Sequence, residues 1–482
     1  MSLLLGIDVG TTATKSALLD PDRGLVAEAE RPVSLHSPHS GWAEEDTADW
    51  WRNVCELARE LAADRDVAAV GVSGMVPCVI LLDERGRPLR PSIQQNDARA
   101  VEEIAVLRGR LAGSRVLERT GSPVTQQSVG PTLMWLAARE PDAWGRARTI
   151  LGSYDYVNFR LTGRLGVEAN WALESGFYDL ETGGWAEDLV AAAGADPALL
   201  PPVRRPDEVV GHVTPEAAGE TGLAAGTPVV AGSADHVASA FAAGILDEGD
   251  LLVKLGGAGD VLLVDDEPLV DERLYLDFHL VPGKYLPNGC MAASGSLIRW
   301  FQSELASGAP LEQLDREAEE TEPGAGGIVA LPYFLGEKTP INDPTARGAF
   351  VGLHLGVRRG HVFRAVLEAI AFGFRHHVDV FIERGRRPTR VRVTNGGARS
   401  GLWTQITADV LGMPLEKLRS QGGSAVGAAF VAGMGAGAFS DWHEIERFVH
   451  VGGVVEPRNH EAYEAPYRTY RALYPALKEV VG

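Results

Sequence analysis

Apolar runs of strand length alternate with amphipathic stretches along almost the whole chain. Residues 67–74 (VAAVGVSG) predict a buried strand, and residues 227–244 predict a strand, a polar turn and a helix of small residues. Residues 389–412 repeat this order, and residues 361–378 predict the clearest helix. The apolar stripe of that helix consists of Phe363, Val366, Ile370 and Phe374. The alternation predicts an α/β protein with helices packed on sheets.

Two stretches far apart in the chain share one unusual form. Residues 3–20 (LLLGIDVGTTATKSALLD) and 251–266 (LLVKLGGAGDVLLVDD) each join two apolar runs through a turn of very small residues, which predicts two β-hairpins. Such turns let backbone N–H groups approach phosphate oxygens, although glycine is also common in plain hairpin turns. A third small turn, residues 396–398, joins a strand to a helix N-terminus. The recurrence favours phosphate binding over three unrelated turns.

The chain length predicts more than one domain. A chain of 482 residues is too long for a single compact core. The boundary is predicted at residues 244–250 (GILDEGD), directly before the second hairpin, which gives domains at 1–245 and 246–482. Two similar halves facing each other would place the small turns on opposite sides of a cleft. Residues 196–215 contain five prolines and are predicted to form an irregular surface connection.

Charge and composition exclude several classes of protein. A net charge of -20 argues against nucleic-acid and anionic-membrane partners, because an acidic surface repels phosphate groups. No apolar run is long enough to cross a bilayer, and the start, MSLLLGIDVG, does not resemble a signal peptide. The three cysteines form no CxxC pair, so neither a disulfide framework nor a zinc cluster is expected. A packed or solvated role is expected for His376 and His377. These features predict a cytoplasmic enzyme.

Two aspartates are candidates for chemistry. Asp8 ends the first strand of the first hairpin, beside a turn with hydroxyl groups and a lysine, where a divalent cation could lie between a carboxylate and phosphate. Asp235 follows VVAGSA at the carboxyl end of a buried strand, the edge where open α/β sheets bind ligands. A carboxylate there could accept a proton from a hydroxyl group. Alternatively, Asp235 could cap the helix that begins near His236.

Several ordered motifs resemble those of the FGGY carbohydrate kinases, within the superfamily of actin, hexokinase and chaperone ATPases. GIDVGTTATK is similar to the first phosphate motif of the family, and LGGAG lies where the family has G-T-S or G-T-T. GSADH resembles the catalytic G-x-x-D motif, which is usually followed by Gln or Asn, and NGGARSGLWTQITADVLGMPL resembles the adenosine motif. PTLMWL is similar to the N-terminal signature, with Thr132 in place of the usual Lys. The C-terminal signature is matched by Gly348, Gly352, His361, Ala365 and Glu368.

The resemblance covers nearly all of the chain and implies a fold and a reaction. The fold is α/β, with two ribonuclease-H-like domains of the actin/hexokinase type and an interdomain cleft. The reaction is transfer of the γ-phosphoryl group of ATP to a sugar or polyol, with Asp235 as general base and Asp8 holding Mg²⁺ through water. Because dimers are common in the family, a homodimer is also allowed. The implied ATP-binding residues are Thr11, Thr12, Lys15, Gly256, Gly257, Gly295, Arg299, Gly397 and Ala398; for Arg299, a solvated helix charge is the alternative.

The sugar pocket implied by the resemblance is only partly of the usual kind. Its predicted residues are Met75, Val76, Asn96, Asp97, Asp235 and His236. Xylulose kinases are the nearest-looking relatives, but here Pro77 replaces a histidine, Gln95 replaces a tryptophan, and His236 replaces Asn or Gln. Changed hydrogen-bond partners can change the sugar. The expected substrate is therefore a ketopentose such as D-xylulose, with another ketopentose, a polyol or a deoxysugar as alternatives.

Two functions of other classes remain open from the sequence. Gly257 stands where the family usually has threonine, which leaves room for a sugar-sensing protein without catalysis. An actin-like ATPase acting on a protein partner is the other alternative. The match at Asp235 and at the C-terminal signature favours the kinase over both.

Overall fold

The computed structural model describes residues 2–63, 65–419 and 423–481. The strands are β1 Leu3–Val9, β2 Ala13–Asp20, β3 Gly24–Pro32, β4 Glu44–Glu45, β5 Val67–Gly74, β6 Ile80–Leu82, β7 Ser92–Ile93, β8 Thr149–Leu151, β9 Val167–Glu168, β10 Tyr178–Asp179, β11 Gly184–Trp185, β12 Val203–Arg204, β13 Val209–His212, β14 Pro228–Val230, β15 Ser233–Ala234, β16 Asp250–Leu255, β17 Gly259–Leu263, β18 Tyr275–Phe278, β19 Tyr285–Met291, β20 Val329–Leu331, β21 Ala349–Val351, β22 Arg390–Thr394, β23 Leu415–Leu418 and β24 Val451–Val455.

The α-helices are α1 Thr47–Ala62, α2 Val101–Arg110, α3 Val116–Thr120, α4 Val129–Arg139, α5 Pro141–Arg146, α6 Ser153–Thr162, α7 Ala169–Glu174, α8 Glu187–Ala192, α9 Pro215–Thr221, α10 Asp235–Ala242, α11 Gly295–Trp300, α12 Leu311–Glu319, α13 Arg359–Glu383, α14 Gly401–Leu411, α15 Gly423–Gly435 and α16 Glu464–Val481. Short 3-10 helices cover Pro197–Leu199, Ala325–Gly327, Gly396–Arg399, Trp442–Phe448 and His460–Tyr463, and a π-helical turn covers Phe301–Leu305.

The described residues form two compact units. Unit 1 contains those within 1–244, 276–285 and 421–449, and unit 2 contains those within 245–275, 286–420 and 450–482. The first passage between the units lies one residue before the predicted boundary at 245/246. Two later segments of the second half, 276–285 and 421–449, also pack in unit 1. The division into functional domains at 1–245 and 246–482 stays a prediction.

Unit 1 is built on a mixed sheet in the order β13-β14-β5-β1-β2-β3, and β15 also pairs with β5. The antiparallel pairing of β1 with β2 confirms the first predicted hairpin. Helix α15 lies directly on β1 and β5. A Cβ atom on Gly6 would lie 1.8 Å from the carbonyl oxygen of Ala425, and one on Gly71 would lie 2.1 Å from that of Ala428. Glycine in both strands therefore allows this helix of the second half to join unit 1.

Unit 2 contains a second mixed sheet, in which strands pair in the order β19-β17-β16-β22-β23-β24. The antiparallel pair β16 and β17 confirms the second predicted hairpin. The predicted apolar stripe of α13 is buried in the core of this unit. On the same helix His377 is buried, where its Nδ1 lies 2.8 Å from the Gly373 carbonyl oxygen and burial lowers its pKa to about 4. The expectation of a packed role is confirmed for His377.

One local prediction is only partly correct. Residues 196–215 were expected to be irregular, but β13 pairs antiparallel with β14 at the edge of the unit 1 sheet. The stretch from Val209 to His212 contains no proline, so its N–H groups are available for pairing. Among the described residues, no helix is long and apolar enough to span a bilayer.

Candidate active site

The carboxyl ends of β1, β5 and β15 bring the two candidate aspartates into one part of unit 1. Strands β1 and β5 run parallel with Asp8 opposite Ser73, and β15 runs parallel to β5 with Ser233 opposite the same residue. The Ser73 hydroxyl donates a hydrogen bond to Asp8 Oδ1 at 3.0 Å. Asp235 follows β15 directly and begins α10. This strand order confirms the predicted position of Asp235 at a carboxyl sheet edge.

The side chain of Asp235 is accessible and does not cap its helix. The N-cap position of α10 is Ala234, and the helix start has no side-chain cap hydrogen bond. The Asp235 side chain is 33% exposed to solvent. A carboxylate at a strand end that is open to ligands and free of a capping duty is suited to accept a proton from a bound hydroxyl group.

Asp8 occupies a more enclosed position. It is only 7% exposed, and burial together with the charge of Asp235 raises its pKa to about 7, although Ser424, Ser73 and Lys15 oppose the rise. Because the charges of Asp8 and Asp235 repel each other, a cation bound at Asp8 would be favoured. Carboxylate oxygens are the protein ligands that Mg²⁺ prefers. The residues present therefore fit the predicted magnesium site.

His236 lies among three carboxyl groups in unit 1. Its Nε2 is 2.7 Å from Asp277 Oδ2 and 3.8 Å from Glu174 Oε1, and its Nδ1 is 3.5 Å from Asp235 Oδ1. Burial alone would lower the pKa of His236, but Asp277, Asp235 and Glu174 raise it well above its usual value. Burial and Asp277 in turn raise the pKa of Glu174 well above the ordinary range. These three carboxyl groups therefore favour the protonated form of the histidine.

The other predicted pocket residues differ in accessibility. Met75 and Val76 are buried, and Asn96 is exposed. The carboxylate of Asp97 accepts hydrogen bonds from the Arg99 guanidinium at 2.7 and 2.8 Å and from the Ala43 N–H at 2.5 Å. These contacts give Asp97 a structural role in unit 1. Substrate binding by these four residues stays a prediction.

The first small turn places its polar side chains at the end of the β1–β2 hairpin. Thr12 and Lys15 are exposed and Thr11 is half-buried. Lys15 lies opposite Asp8 in the strand register, and its charge lowers the pKa of that aspartate. Phosphate binding by Thr11, Thr12 and Lys15 stays a prediction.

The second small turn is bonded to the start of α11 in unit 2. The N–H of Gly295 donates to the Gly256 carbonyl at 2.8 Å, and the N–H and hydroxyl of Ser296 donate to the Gly257 carbonyl at 3.0 and 2.9 Å. A Cβ atom on Gly257 would lie 3.2 Å from Arg299 Nη2. The structure therefore brings the predicted phosphate-turn glycines, Gly295 and Arg299 together.

The third small turn lies beside the second one. A Cβ atom on Gly256 would lie 3.0 Å from Asn395 Nδ2, and one on Gly397 would lie 2.7 Å from Leu255 Cβ and 2.1 Å from a Trp403 ring carbon. Asn395, which begins the turn, has a left-handed φ of 73°, a conformation that non-glycine residues adopt at a cost. Ala398 is buried beneath the turn. The nucleotide residues predicted in this half of the chain thus form one cluster in unit 2.

Sequence reasoning missed several residues of these sites. Ser73 and Asn395 stand within motifs that were recognised, so strand register and turn geometry would have indicated them. Glu174 ends α7, and Asp277 lies in β18 of the second half. No local pattern marks either carboxylate as a neighbour of His236.

Comparisons of the sequence and of the structure with known proteins both match carbohydrate kinases. The profile of the N-terminal domain of the FGGY family of carbohydrate kinases matches residues 3–242, and that of its C-terminal domain matches residues 252–436. The crystal structure of xylulose kinase from Rhodospirillum rubrum is 47% identical, covers 99% of both chains and has a TM-score of 0.93. Xylulose kinase from Bacillus subtilis is 29% identical over 100% of this chain and 98% of its own. A gluconate kinase structure from Lactobacillus acidophilus is 26% identical, covers 100% of this chain and 99% of that one, and has a TM-score of 0.95.

These matches extend over both units and include every motif that carries the site. They confirm the predicted two-domain α/β fold of the actin/hexokinase type. They also confirm an ATP-dependent sugar kinase over the sensing and actin-like alternatives. The chain belongs to the FGGY family of carbohydrate kinases.

Proposed function

We propose that this kinase phosphorylates an uncharged ketopentose, with D-xylulose as the first candidate. The observation that carries the proposal is the similarity, over almost the full length of both chains, to a protein described as a xylulose kinase. The charges around Asp235 support an uncharged acceptor. Carboxyl groups surround the site, and its cation, His236, is already bonded to Asp277 at 2.7 Å. A substrate carboxylate would meet like charges and an engaged partner.

The residues in unit 1 supply the proton acceptor of the reaction. Asp235 accepts the proton of the acceptor hydroxyl as its oxygen forms a bond to the γ-phosphorus of ATP and the bond between that phosphorus and the β,γ-bridging oxygen breaks. ADP leaves with the bridging oxygen. Thr11, Thr12 and Lys15 contact phosphate oxygens from the first turn, which positions the donor and neutralises its charge.

The residues in unit 2 supply the nucleotide contacts. The turn at Gly256 and Gly257 presents backbone N–H groups without obstructing side chains, which suits phosphate oxygens. The hydrogen bond from the Gly295 N–H to the Gly256 carbonyl holds this turn beside the start of α11. Gly397 and Ala398 border the adenosine, and Arg299 lies at the same cluster. Asp8 would hold Mg²⁺, which would neutralise charge on the phosphates.

Another uncharged acceptor is the second candidate, because Pro77 and Gln95 are two of the three pocket positions that differ from the xylulose kinases. The half-buried Gln95 stands in place of a tryptophan and accepts a hydrogen bond from Gln127 Nε2 at 3.2 Å. Pro77 stands in place of a histidine that would donate to the sugar. The loss of one hydrogen bond costs about 0.5–1.5 kcal/mol, and more when a substrate hydroxyl is left unsatisfied. A different ketopentose, a polyol or a deoxysugar would need fewer hydrogen bonds from these positions.

The test is the rate of ADP formation with D-xylulose, D-ribulose, xylitol and D-gluconate, with Asp235→Asn as the inactive control. We expect kcat/KM to be at least about 100-fold lower for D-gluconate than for the best uncharged acceptor, which equals about 2.7 kcal/mol of discrimination. D-gluconate as the best substrate would contradict the charge argument. ADP formation with none of these acceptors would contradict the proposed substrate class.

Replacing Pro77 with histidine separates the two candidates. If the missing donor weakens binding of D-xylulose, Pro77→His should raise the ratio of kcat/KM for D-xylulose over that for xylitol. If wild-type kcat/KM for D-xylulose already leads by more than about 100-fold, Pro77 has no influence on the choice of sugar, and the substitution should leave the ranking unchanged.

A further inference from the structure

His236 is held between two carboxylates on opposite sides of its ring. Its Nε2 lies 2.7 Å from Asp277 Oδ2, and its Nδ1 lies 3.5 Å from Asp235 Oδ1. A neutral imidazole has only one N–H group, so it could donate to just one of these carboxylates. The Nε2–Asp277 distance is that of a hydrogen bond and the Nδ1–Asp235 distance is that of an ion pair, so the doubly protonated imidazolium suits this arrangement better than either neutral tautomer.

The strand that carries Asp277 is anchored on both sides of this residue. The Phe278 N–H donates to Asn170 Oδ1 at 2.7 Å, and Asn170 Nδ2 donates back to the Phe278 carbonyl at 3.2 Å. On the other side, the Leu276 N–H donates to the Ser122 hydroxyl at 3.2 Å. Asp277 itself is 1% exposed. These contacts fix the carboxylate more firmly than its position on a short strand alone would.

Glu174 completes the surroundings of the ring. Its Oε1 lies 3.8 Å from His236 Nε2, on the same side as Asp277. Burial and the neighbouring Asp277 raise the pKa of Glu174 well above its usual value, which favours its neutral form. Asp277 is therefore the principal anionic partner of the imidazolium on that side.

We propose that Asp277 is a positioning residue that acts through His236 on the base Asp235. Asp277 fixes the orientation of the imidazolium, and the Nδ1–H group of that ring holds Asp235 Oδ1. The second carboxylate oxygen of Asp235 is then left to accept the proton of the sugar hydroxyl. This inference rests on the proposed function of Asp235.

The alternative is that Asp277 and His236 form a buried ion pair that only stabilises unit 1. Breaking such a pair is destabilising because it leaves an uncompensated buried charge. A stability effect alone would reduce the amount of folded enzyme, whereas a positioning role would reduce kcat of the folded enzyme. The two roles also differ in whether the effect of Asp277 depends on the residue at 236.

A double-mutant cycle in kcat separates them. Asp277→Asn keeps the size of the side chain and removes its charge, and His236→Gln introduces a residue that the family commonly has at this position. We expect Asp277→Asn to lower kcat at least about tenfold in the wild-type background and less than about twofold in the His236→Gln background. The KM for ATP should stay unchanged in all variants, since neither Asp277 nor His236 is among the proposed phosphate and adenosine contacts.

Asp179→Asn is the matched control. Asp179 is a buried carboxylate of unit 1 that accepts a hydrogen bond from Arg119 Nε at 2.8 Å, and it has no contact with the base. We expect its substitution to lower the thermal midpoint without lowering kcat. Equal losses of kcat for Asp277→Asn in both backgrounds, or no loss in either, would overturn the positioning role. The absence of sugar-dependent ADP formation by wild type would instead refute the proposed function.

A measurement on the wild-type enzyme keeps the inference testable if Asp277→Asn does not fold. Nitrogen-15 NMR of histidine-labelled protein at neutral pH should show both ring nitrogens of His236 protonated, with His236→Gln used to assign the signals. A single-tautomer neutral ring would overturn the proposal.

Discussion

Asp8→Asn should make unit 1 more stable at neutral pH even though it removes a residue of the proposed magnesium site. Burial and the charge of Asp235 raise the pKa of Asp8 from its usual 3.8 to about 7. At 1.36 kcal/mol per pKa unit, ionising this carboxyl in the folded protein costs up to about 4 kcal/mol. Asparagine has no such charge and can still accept the hydrogen bond that the Ser73 hydroxyl donates to Asp8 Oδ1 at 3.0 Å.

The sign of the effect follows from the raised pKa. Well below pH 3.8, Asp8 is protonated in both the folded and the unfolded chain, so it does not reduce the stability of the folded protein. Above about pH 7 the full cost is present. We expect about 2–3 kcal/mol of the stability difference between Asp8→Asn and wild type to develop between about pH 4.5 and pH 8. For a unit of this size that corresponds to about 4–6 °C in the midpoint of thermal unfolding.

The assay is thermal unfolding followed by circular dichroism at several pH values in the presence of a metal chelator. Asp179→Asn is the control of opposite sign. Burial raises the pKa of Asp179, but the hydrogen bonds from Arg119 Nε and from the Glu181 and Thr182 N–H groups together outweigh it and lower this pKa. The ionised Asp179 carboxylate stabilises the folded wild type at neutral pH, and this contribution disappears in acid. The midpoint of Asp179→Asn should therefore fall further below that of wild type as the pH rises. The same midpoint difference between Asp8→Asn and wild type at every pH would refute the reasoning.

Adding magnesium tests whether Asp8 binds the metal, separately from the loss of folding stability that its ionisation causes. If the carboxylate holds Mg²⁺, then magnesium should raise the wild-type midpoint at pH 8 more than that of Asp8→Asn, because a ligand that binds only the folded chain stabilises it. Equal shifts would show that Asp8 does not contribute to the metal site.

Three further substitutions test the nucleotide and base residues. Asp235→Asn should lower kcat by about 10²–10⁴-fold with ATP binding unchanged in calorimetry, and a variant that keeps more than about a tenth of wild-type turnover would exclude Asp235 as the base. Gly397→Ala should raise the KM for ATP about tenfold or more, with the KM for sugar unchanged, because its Cβ atom would lie 2.1 Å from Trp403. Lys15→Ala should raise the KM for ATP about tenfold, the size of one charge-assisted hydrogen bond, and an unchanged KM would remove Lys15 from the phosphate contacts.

Local patterns were sufficient to predict the elements that carry the site. The two hairpins, the strand that ends at Gly74 and the buried stripe of α13 all follow from apolar periodicity, which reports which side of an element is covered. The motifs within these elements then identified the family. Asp235 could be predicted because a strand followed by small residues and a helix already determines where the strand ends.

The surroundings of those residues depended on contacts between distant parts of the chain. Asp277 reaches His236 from the second half of the sequence, and α15 packs on the strands of unit 1 because Gly6 and Gly71 allow close approach. The carboxylate of Asp97 was expected in the pocket, but its bonds to Arg99 and Ala43 became visible only in the folded chain. Sequence periodicity reports burial along one element, whereas the partner of a buried charge is selected by the packing of several elements. The sequence alone therefore determined the family and predicted Asp235 as the base, and the tertiary structure decided which charges surround Asp235.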